Sequence, residues 1–149
     1  MNKDGDRIWS QTNFAHTQCI GNISDRYPAY DIFSLELSYV KDRVSETVLD
    51  DGRRCFFKIA QFPHELQFLI QELKAYHFLE DHQSNLAPKL IGYVYEEAPD
   101  RVIGFLVEAV EGRVAGVEDL EVCKEVLDEM HQILIHGDLC RYNILISYG

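Results

Sequence analysis

The order of apolar segments along the chain constrains its fold more than any other feature. The segment DIFSLELSYV alternates like a β-strand and places Phe33, Leu35 and Leu37 on one face. SETVL and RRCFFKIA follow it as two further strand-like segments. A DDG turn that ends at Gly52 joins these two, because glycine tolerates positive φ. The folded part of the chain is therefore predicted to open as an antiparallel meander.

A helix is predicted next, over about residues 64–81, with Pro63 at its first position and Glu65 in its first turn. KLIGYVYEE and RVIGFLVEAV then predict two more strands joined at APD, and a second helix is predicted over about residues 118–132. The predicted buried faces are Leu66, Leu69, Leu73 and Tyr76 in the first helix, and Leu120, Cys123, Leu127, Met130 and Leu134 in and after the second. The strands and helices together predict the α+β fold class.

The composition excludes several classes of function. The 149 residues suit one ordinary domain, and a hydrophobic content of 46% suffices for a buried core. A formal net charge of -11 argues against binding to the phosphate backbone of nucleic acid, whereas a nucleotide pocket needs only one or two local cations. The cysteines are scattered, MNKDGDRIWS lacks a signal-peptide core, and no uncharged apolar run reaches membrane-spanning length. These features predict a cytoplasmic protein that binds neither nucleic acid nor membrane.

Lys58 and Glu72 are the first candidate site residues. Lys58 lies on the third predicted strand, and Glu72 points along the apolar stripe of the following helix. A carboxylate aimed at a core is costly unless it is paired, so one hypothesis is that the two side chains meet inside a cleft. Glu65 is a rival partner for the lysine. The other interpretation is that both charged side chains face water, as most do.

The segment IHGDLCRYNIL carries a second group of candidates. Asp138 and Asn143 lie in one short segment, so a tight loop can aim both side chains into a cleft. A carboxylate accepts a proton from an attacking hydroxyl, an amide oxygen is a hard ligand for Mg²⁺, and His136 can hold the loop through backbone groups. The alternative is an Asx-type turn with a capping aspartate. A zinc-protease interpretation of HELQF fails because Phe68 replaces the second histidine of His-Glu-x-x-His.

These segments resemble the protein-kinase-like superfamily from about residue 31 to 149, in the aminoglycoside- and choline-phosphotransferase branch that includes small fungal kinase-like proteins. HGDLCRYNILI is similar to the catalytic loop, CFFKIA to the strand with the phosphate-binding lysine, and LIQELKAYHFLE to the helix with its glutamate partner. LAPKLIGYV and VIGFLVEAVEG are similar to the next two strands and the hinge. The resemblance implies a protein-kinase-like fold. Its antiparallel N-lobe, with five strands and one helix, would take residues 31–110 after an irregular extension over 1–30, and an incomplete helical C-lobe would take 111–149.

The resemblance also implies roles in phosphoryl transfer, with ATP and Mg²⁺ as cofactors. Lys58 would hold the α- and β-phosphates of ATP, and Glu72 would orient Lys58. Asp138 would be the catalytic base, and Asn143 would bind Mg²⁺.

Further implied roles concern the adenine ring and the loop itself. Backbone groups near Glu108 and Val110, in the hinge, would contact adenine. His136 would be structural. The resemblance does not identify the phosphate acceptor, because residues specific for the acceptor belong to the remainder of the helical lobe.

Two departures from the family pattern lower the expected activity. No glycine occurs between residues 32 and 49, where relatives carry a glycine-rich phosphate loop. The chain also ends at Gly149, before the metal-binding aspartate of the family and before the lobe that covers the second helix. We therefore expect a truncated phosphotransferase domain that is weakly active or inactive, and a protein partner that covers the second helix. The alternative is a non-catalytic, pseudokinase-type module that binds a partner.

Overall fold

The computed structural model describes residues 19–21, 23–135, 137 and 143–147. Its main element is a six-stranded sheet with the strand order β1-β5-β6-β4-β3-β2, and helix α1 packs on one of its faces. The strands of this sheet are β1 Ala29–Asp31, β2 Ser38–Lys41, β3 Val44–Val48, β4 Arg54–Ile59, β5 Leu90–Tyr95 and β6 Val102–Glu108. The remaining elements are α1 Leu66–Asp81, α2 Leu120–His131 and a two-stranded sheet of β7 Gly112–Val114 and β8 Leu145–Ser147. This content confirms the predicted α+β class.

The six-stranded sheet is mixed rather than antiparallel. Strand β1 pairs with β5 in parallel, from Ala29 opposite Tyr93 to Asp31 opposite Tyr95, whereas the other neighbouring strands pair antiparallel. The predicted antiparallel sheet of five strands corresponds to β2 to β6, and the prediction did not include the parallel strand β1. The physical reason for the parallel pairing is the long connection: the meander and α1 lie between β1 and β5, and parallel pairing requires such a crossover.

The predicted strand over DIFSLELSYV is wrong in its first half. The Asp31 carboxylate accepts a hydrogen bond from the backbone N–H of Phe33 at 3.0 Å, and a 3₁₀ turn forms over Ile32–Ser34. The Ser34 hydroxyl donates to the Asp31 carbonyl at 2.7 Å. These local polar contacts replace the strand, so Phe33 is 77% exposed while Leu35 packs against the core.

The segment before β1 is packed against the sheet where the structure describes it. Ile20 is only 3% exposed, and its backbone N–H donates to the Val102 carbonyl at 2.7 Å. Ile23 and Tyr27 pack against the same core cluster. The described residues 19–21 and 23–28 form no helix or strand, but their apolar side chains cover the sheet, and Ala29 and Tyr30 belong to β1. Residues 1–18 and 22 of the predicted irregular extension over 1–30 lie outside the described part.

The sheet carries an apolar core on each face. On the face of α1, Leu69 and Leu73 pack with Tyr93, Phe105 and Val107, all of them buried. On the opposite face the buried cluster consists of Leu49, Cys55, Phe57, Val94, Ile103 and Leu106. The first of these cores confirms the centre of the apolar stripe predicted for the first helix, and it fixes the orientation of α1 over β4 and β6.

Gly104 marks a close approach between β6 and β4. A Cβ at this position would press on the backbone carbonyl of Lys58 and on the ring of Phe57. The pairing of β5 with β6 also shifts register by one residue beside Gly104. Because only glycine lacks the Cβ, it lets the two backbones approach at the position of Lys58.

A polar and aromatic clasp joins the N-terminal segment to the end of α1. Arg26 forms an ion pair with Asp81 at 2.7 Å. The Tyr27 ring stacks on the His77 ring with 5.4 Å between centroids, and His77 Nε2 lies 3.0 Å from the Tyr93 hydroxyl. Burial, and then the charge of Arg26, lower the pKa of His77 from its ordinary value of 6.5, although Asp81 opposes them. His77 is therefore neutral in the clasp near neutral pH.

The clasp is expected to weaken on acidification. Because the pKa of His77 is lower in the folded chain than in the unfolded chain, the unfolded chain binds more protons, and stability is lost as the pH falls below about 6.5. We expect the thermal unfolding midpoint of the wild type to fall more between pH 7 and pH 5.5 than that of His77→Gln. His82→Gln, at an exposed histidine near the end of the same helix, is the control and should follow the wild type. Parallel pH profiles of wild type and His77→Gln would contradict this role of His77.

Helix α2 is only partly covered by the described residues. Just before the helix begins, Arg113 forms an ion pair with Asp119 at 2.6 Å. This ion pair, together with the hydrogen bond that the Gly116 N–H donates to Asp119, lowers the pKa of Asp119 to about 2. Of the predicted stripe, Cys123 is buried, whereas Leu120 is 52% exposed. Of the helices in the described part of the chain, none is long and apolar enough to cross a membrane.

Candidate functional site

Strand β4 places Lys58 in the middle of the sheet. Lys58 lies opposite Val44 of β3 and opposite Phe105 of β6. Successive side chains of a strand alternate between faces, so Lys58 shares the α1 face with Phe56 and Ala60. The lysine is therefore held on a rigid central strand beneath the helix, and its side chain is 23% exposed.

Helix α1 places Glu72 above Lys58. The helix follows a 3₁₀ turn over Pro63–Glu65, in which the Glu65 carboxylate accepts hydrogen bonds from the N–H groups of Gln61 and Phe62 at 2.9 and 3.1 Å. Glu65 therefore serves the start of the helix, which removes it as the rival partner of Lys58. Glu72 lies further along α1, three residues after the buried Leu69.

The structure brings Lys58 and Glu72 into direct contact. Lys58 Nζ donates to Glu72 Oε1, and the Glu72 side chain is 37% exposed. The hydroxyl of Tyr76 lies 3.3 Å from Lys58 Nζ, and the centroid of its ring is 5.6 Å away. The geometry thus agrees with the hypothesis of a Lys58–Glu72 pair. It does not agree with the alternative, in which both side chains simply face water.

Electrostatics keep this lysine charged. Burial by itself acts to lower the pKa of Lys58, but the interactions with Tyr76 and Glu72 outweigh burial, and the pKa is raised above its ordinary value. Burial also raises the pKa of Tyr76. An ammonium group that is charged at neutral pH and mostly buried between a sheet and a helix can hold an anion such as a phosphate.

Sequence reasoning placed Tyr76 only among the apolar residues of the helix. Its hydroxyl nevertheless contacts Lys58, because Tyr76 follows Glu72 by four residues and so lies on the same side of α1. That spacing, together with a phenol on an otherwise apolar stripe, is the signal that could have identified it.

The predicted adenine segment lies at the end of β6. The backbone N–H of Glu108 donates to the Lys89 carbonyl at 2.9 Å, and that of Ala109 donates to the Arg54 carbonyl at 3.1 Å. Glu108 lies opposite Cys55, three residues or roughly 10 Å along β4 from Lys58. With these two N–H groups used inside the sheet, an adenine ring would have to contact other backbone groups, such as those of Val110.

The predicted catalytic loop is described only in part. His136 and Asp138 lie outside the described residues, whereas the exposed Asn143 lies two residues before the start of β8. The N–H of Ala115 donates to the Ile144 carbonyl at 3.1 Å, and β8 pairs antiparallel with β7. Asn143 is therefore attached to the segment that continues from the predicted hinge. Within the described part of the chain, no group of three or more His, Cys, Asp or Glu side chains could hold a metal ion.

A short hairpin forms in the glycine-free segment between residues 32 and 49. Strands β2 and β3 are joined by Asp42 and Arg43, and Asp42 has φ +40°. The Gln61 side-chain amide donates to the Asp42 carbonyl at 3.0 Å, and Arg43 lies 3.9 Å from Glu65. The hairpin tip is thus attached to the start of α1.

No family model matches the chain, and no curated protein matches it. The function must therefore be inferred from the geometry of Lys58, Glu72 and Tyr76 and from the sequence motifs.

Proposed function

We propose that this chain has a protein-kinase-like fold and is the nucleotide-binding part of an ATP- and Mg²⁺-dependent phosphotransferase. The observation that carries this proposal is the contact between Lys58 on a central strand and Glu72 on the following helix. The pair is well suited to phosphate because the lysine is charged and held by Glu72 and its side chain remains partly exposed.

The residues fit a nucleotide in the following way. Lys58 has three N–H donors; among the described contacts Glu72 and Tyr76 engage two, so the third can meet a phosphate oxygen. Asn143 is an exposed residue whose amide oxygen has the chemistry of a Mg²⁺ ligand, and a bound ion would neutralise charge on the phosphates. Asp138 would accept the proton of the attacking hydroxyl, which is the role that the resemblance implies.

A second candidate function is a non-catalytic module that binds a protein partner. The hairpin at Asp42 favours this second function for two reasons. The Asp42 carboxylate repels phosphate, and a turn without glycine presents fewer free backbone N–H groups than a glycine-rich loop. The partly exposed α2, with Leu120 52% and Val122 56% exposed, would contribute apolar surface for such a partner. Phosphoryl transfer, more than nucleotide binding, separates the two candidates.

Replacing Lys58 by alanine tests the nucleotide pocket that we propose around Lys58, which either candidate function could use. We expect Lys58→Ala to raise the Kd for a fluorescent ATP analogue in the presence of Mg²⁺ by about tenfold or more, because a charge-assisted hydrogen bond to phosphate is lost. Lys74→Ala is the control, since Lys74 is an exposed lysine of helix α1, and it should leave the Kd unchanged. Identical titration curves for wild type and Lys58→Ala would reject the pocket.

A further inference from the structure

Tyr76 is the second side chain, besides Glu72, that the described structure places against the ammonium group of Lys58. We propose that Tyr76 is a positioning residue, which acts with Glu72 to hold the Lys58 ammonium in the orientation that receives nucleotide phosphates. This inference rests on the proposed function and assigns a further anchor to the same lysine. It is carried by the packing of the Tyr76 ring and by the position of its hydroxyl.

The sheet fixes the ring of Tyr76 independently of the hydroxyl. The ring packs edge-on against Phe105, with 5.8 Å between the centroids and an interplanar angle of 68°. Phe105 is fully buried and lies opposite Lys58 in the pairing of β4 with β6. Strand β4, which carries Lys58, is hydrogen-bonded to β6, which carries Phe105. Because the Tyr76 ring packs on Phe105, its hydroxyl has a defined position relative to the lysine.

Two anchors restrict a lysine in a way that one does not. The lysine side chain has a flexible stem of four carbons, and its ammonium group rotates freely. A contact with Glu72 alone leaves that group free to swing around the carboxylate. The additional contact at 3.3 Å with the Tyr76 hydroxyl restricts the swing and directs the remaining N–H.

The electrostatics agree with this role. The interaction with Tyr76 is one of those that raise the pKa of Lys58 against the opposing effect of burial. Burial is also the main cause of the raised pKa of Tyr76, so the phenol keeps its proton near neutral pH. A neutral phenol accepts a hydrogen bond from the ammonium group and can donate its own proton to Glu72, which links the three side chains. A tyrosine that only filled space would need no such hydroxyl contacts.

The test is Tyr76→Phe, which keeps the ring and removes the hydroxyl. Tyr95→Phe is the matched control, because Tyr95 is also half-buried and packs against the same core cluster. The first measurement is the pKa of Lys58, from the pH dependence of its acetylation rate resolved by mass spectrometry. The second is the Kd for a fluorescent ATP analogue with Mg²⁺. The first measurement needs no nucleotide, so failure of the proposed function cannot mask failure of the positioning role.

We expect Tyr76→Phe to lower the pKa of Lys58 and to weaken nucleotide binding roughly three- to tenfold, as for the loss of one hydrogen bond. Tyr95→Phe should change neither quantity. An unchanged pKa of Lys58 in Tyr76→Phe overturns the proposal, and so does a lowered pKa with unchanged nucleotide affinity. If the wild type binds no nucleotide while Tyr76→Phe lowers the pKa, the proposed function is rejected and the anchoring of Lys58 by Tyr76 is supported.

Discussion

Replacing Phe105 by alanine is expected to lower the free energy of unfolding by about 3–5 kcal/mol. Phe105 is fully buried in the core cluster on the α1 face and lies on β6, which pairs with β4 and β5. The variant loses the transfer free energy of the ring and leaves a cavity that two paired strands cannot close. Since small domains are stable by only about 5–15 kcal/mol, the loss is a large share of the total. Urea denaturation followed by circular dichroism measures it.

The same cavity is expected to disturb the site. The Tyr76 ring packs on Phe105, so its hydroxyl should lose its fixed position beside Lys58 in the alanine variant. Phe105→Leu should cost less, because most of the volume remains. Phe33→Ala is the control for loss of a phenylalanine ring; at 77% exposure it should change the unfolding free energy by less than about 0.5 kcal/mol. Equal losses for Phe105→Ala and Phe33→Ala would show that the α1-face core is wrongly placed.

Elements with local sequence periodicity could be predicted. Alternation and turn chemistry identified β3 to β6, and the stripe through Leu69 and Leu73 identified α1. The same two periodicities made the Lys58–Glu72 contact one of the interpretations, because they placed each residue on a face that is turned toward the other element. The site was thus most predictable where it depended only on which residues of one strand and of one helix share a face.

The parts that could not be predicted depend on contacts between distant residues. The parallel pairing of β1 with β5 and the burial of Ile20 beside Val102 join segments separated by more than sixty residues, and no local pattern encodes them. The failed strand over DIFSLELSYV has a different cause: the Asp31 side chain competes for the backbone of Phe33 and outweighs the alternation of apolar residues.

The contact of Tyr76 with Lys58 could not be predicted for a third reason. The apolar spacing of α1 correctly placed the Tyr76 ring against the core, but the same spacing carries no information about where the hydroxyl points. The direction of the hydroxyl is set by the position of strand β6 relative to α1 and by the packing of the Tyr76 ring on Phe105 of that strand. Tertiary structure therefore decides where the polar end of an amphipathic side chain points, even where its apolar part follows the sequence pattern.

Asp138→Asn is expected to lower the rate of ATP turnover by about a hundredfold or more, because a positioned general base contributes about 10²–10⁴ to a rate. The asparagine side chain keeps nearly the same shape and cannot accept the proton, so the Kd for the nucleotide should stay within about twofold of the wild type. The measurement is phosphate release from ATP with Mg²⁺, with water as the acceptor, beside the same binding titration. Asp128→Asn removes an exposed carboxylate of α2 and should change neither quantity.

These outcomes separate the two candidate functions. Turnover by the wild type that is lost in Asp138→Asn, with binding retained, supports a phosphotransferase in which Asp138 is the base. Turnover at the wild-type rate in Asp138→Asn removes that residue from the reaction. A wild-type chain that binds nucleotide through Lys58 and releases no phosphate favours the non-catalytic module, in which the paired lysine serves binding alone. The Lys58–Glu72 contact is compatible with both candidate functions, because a charged lysine can hold phosphate without moving a proton. The distinction therefore depends on Asp138.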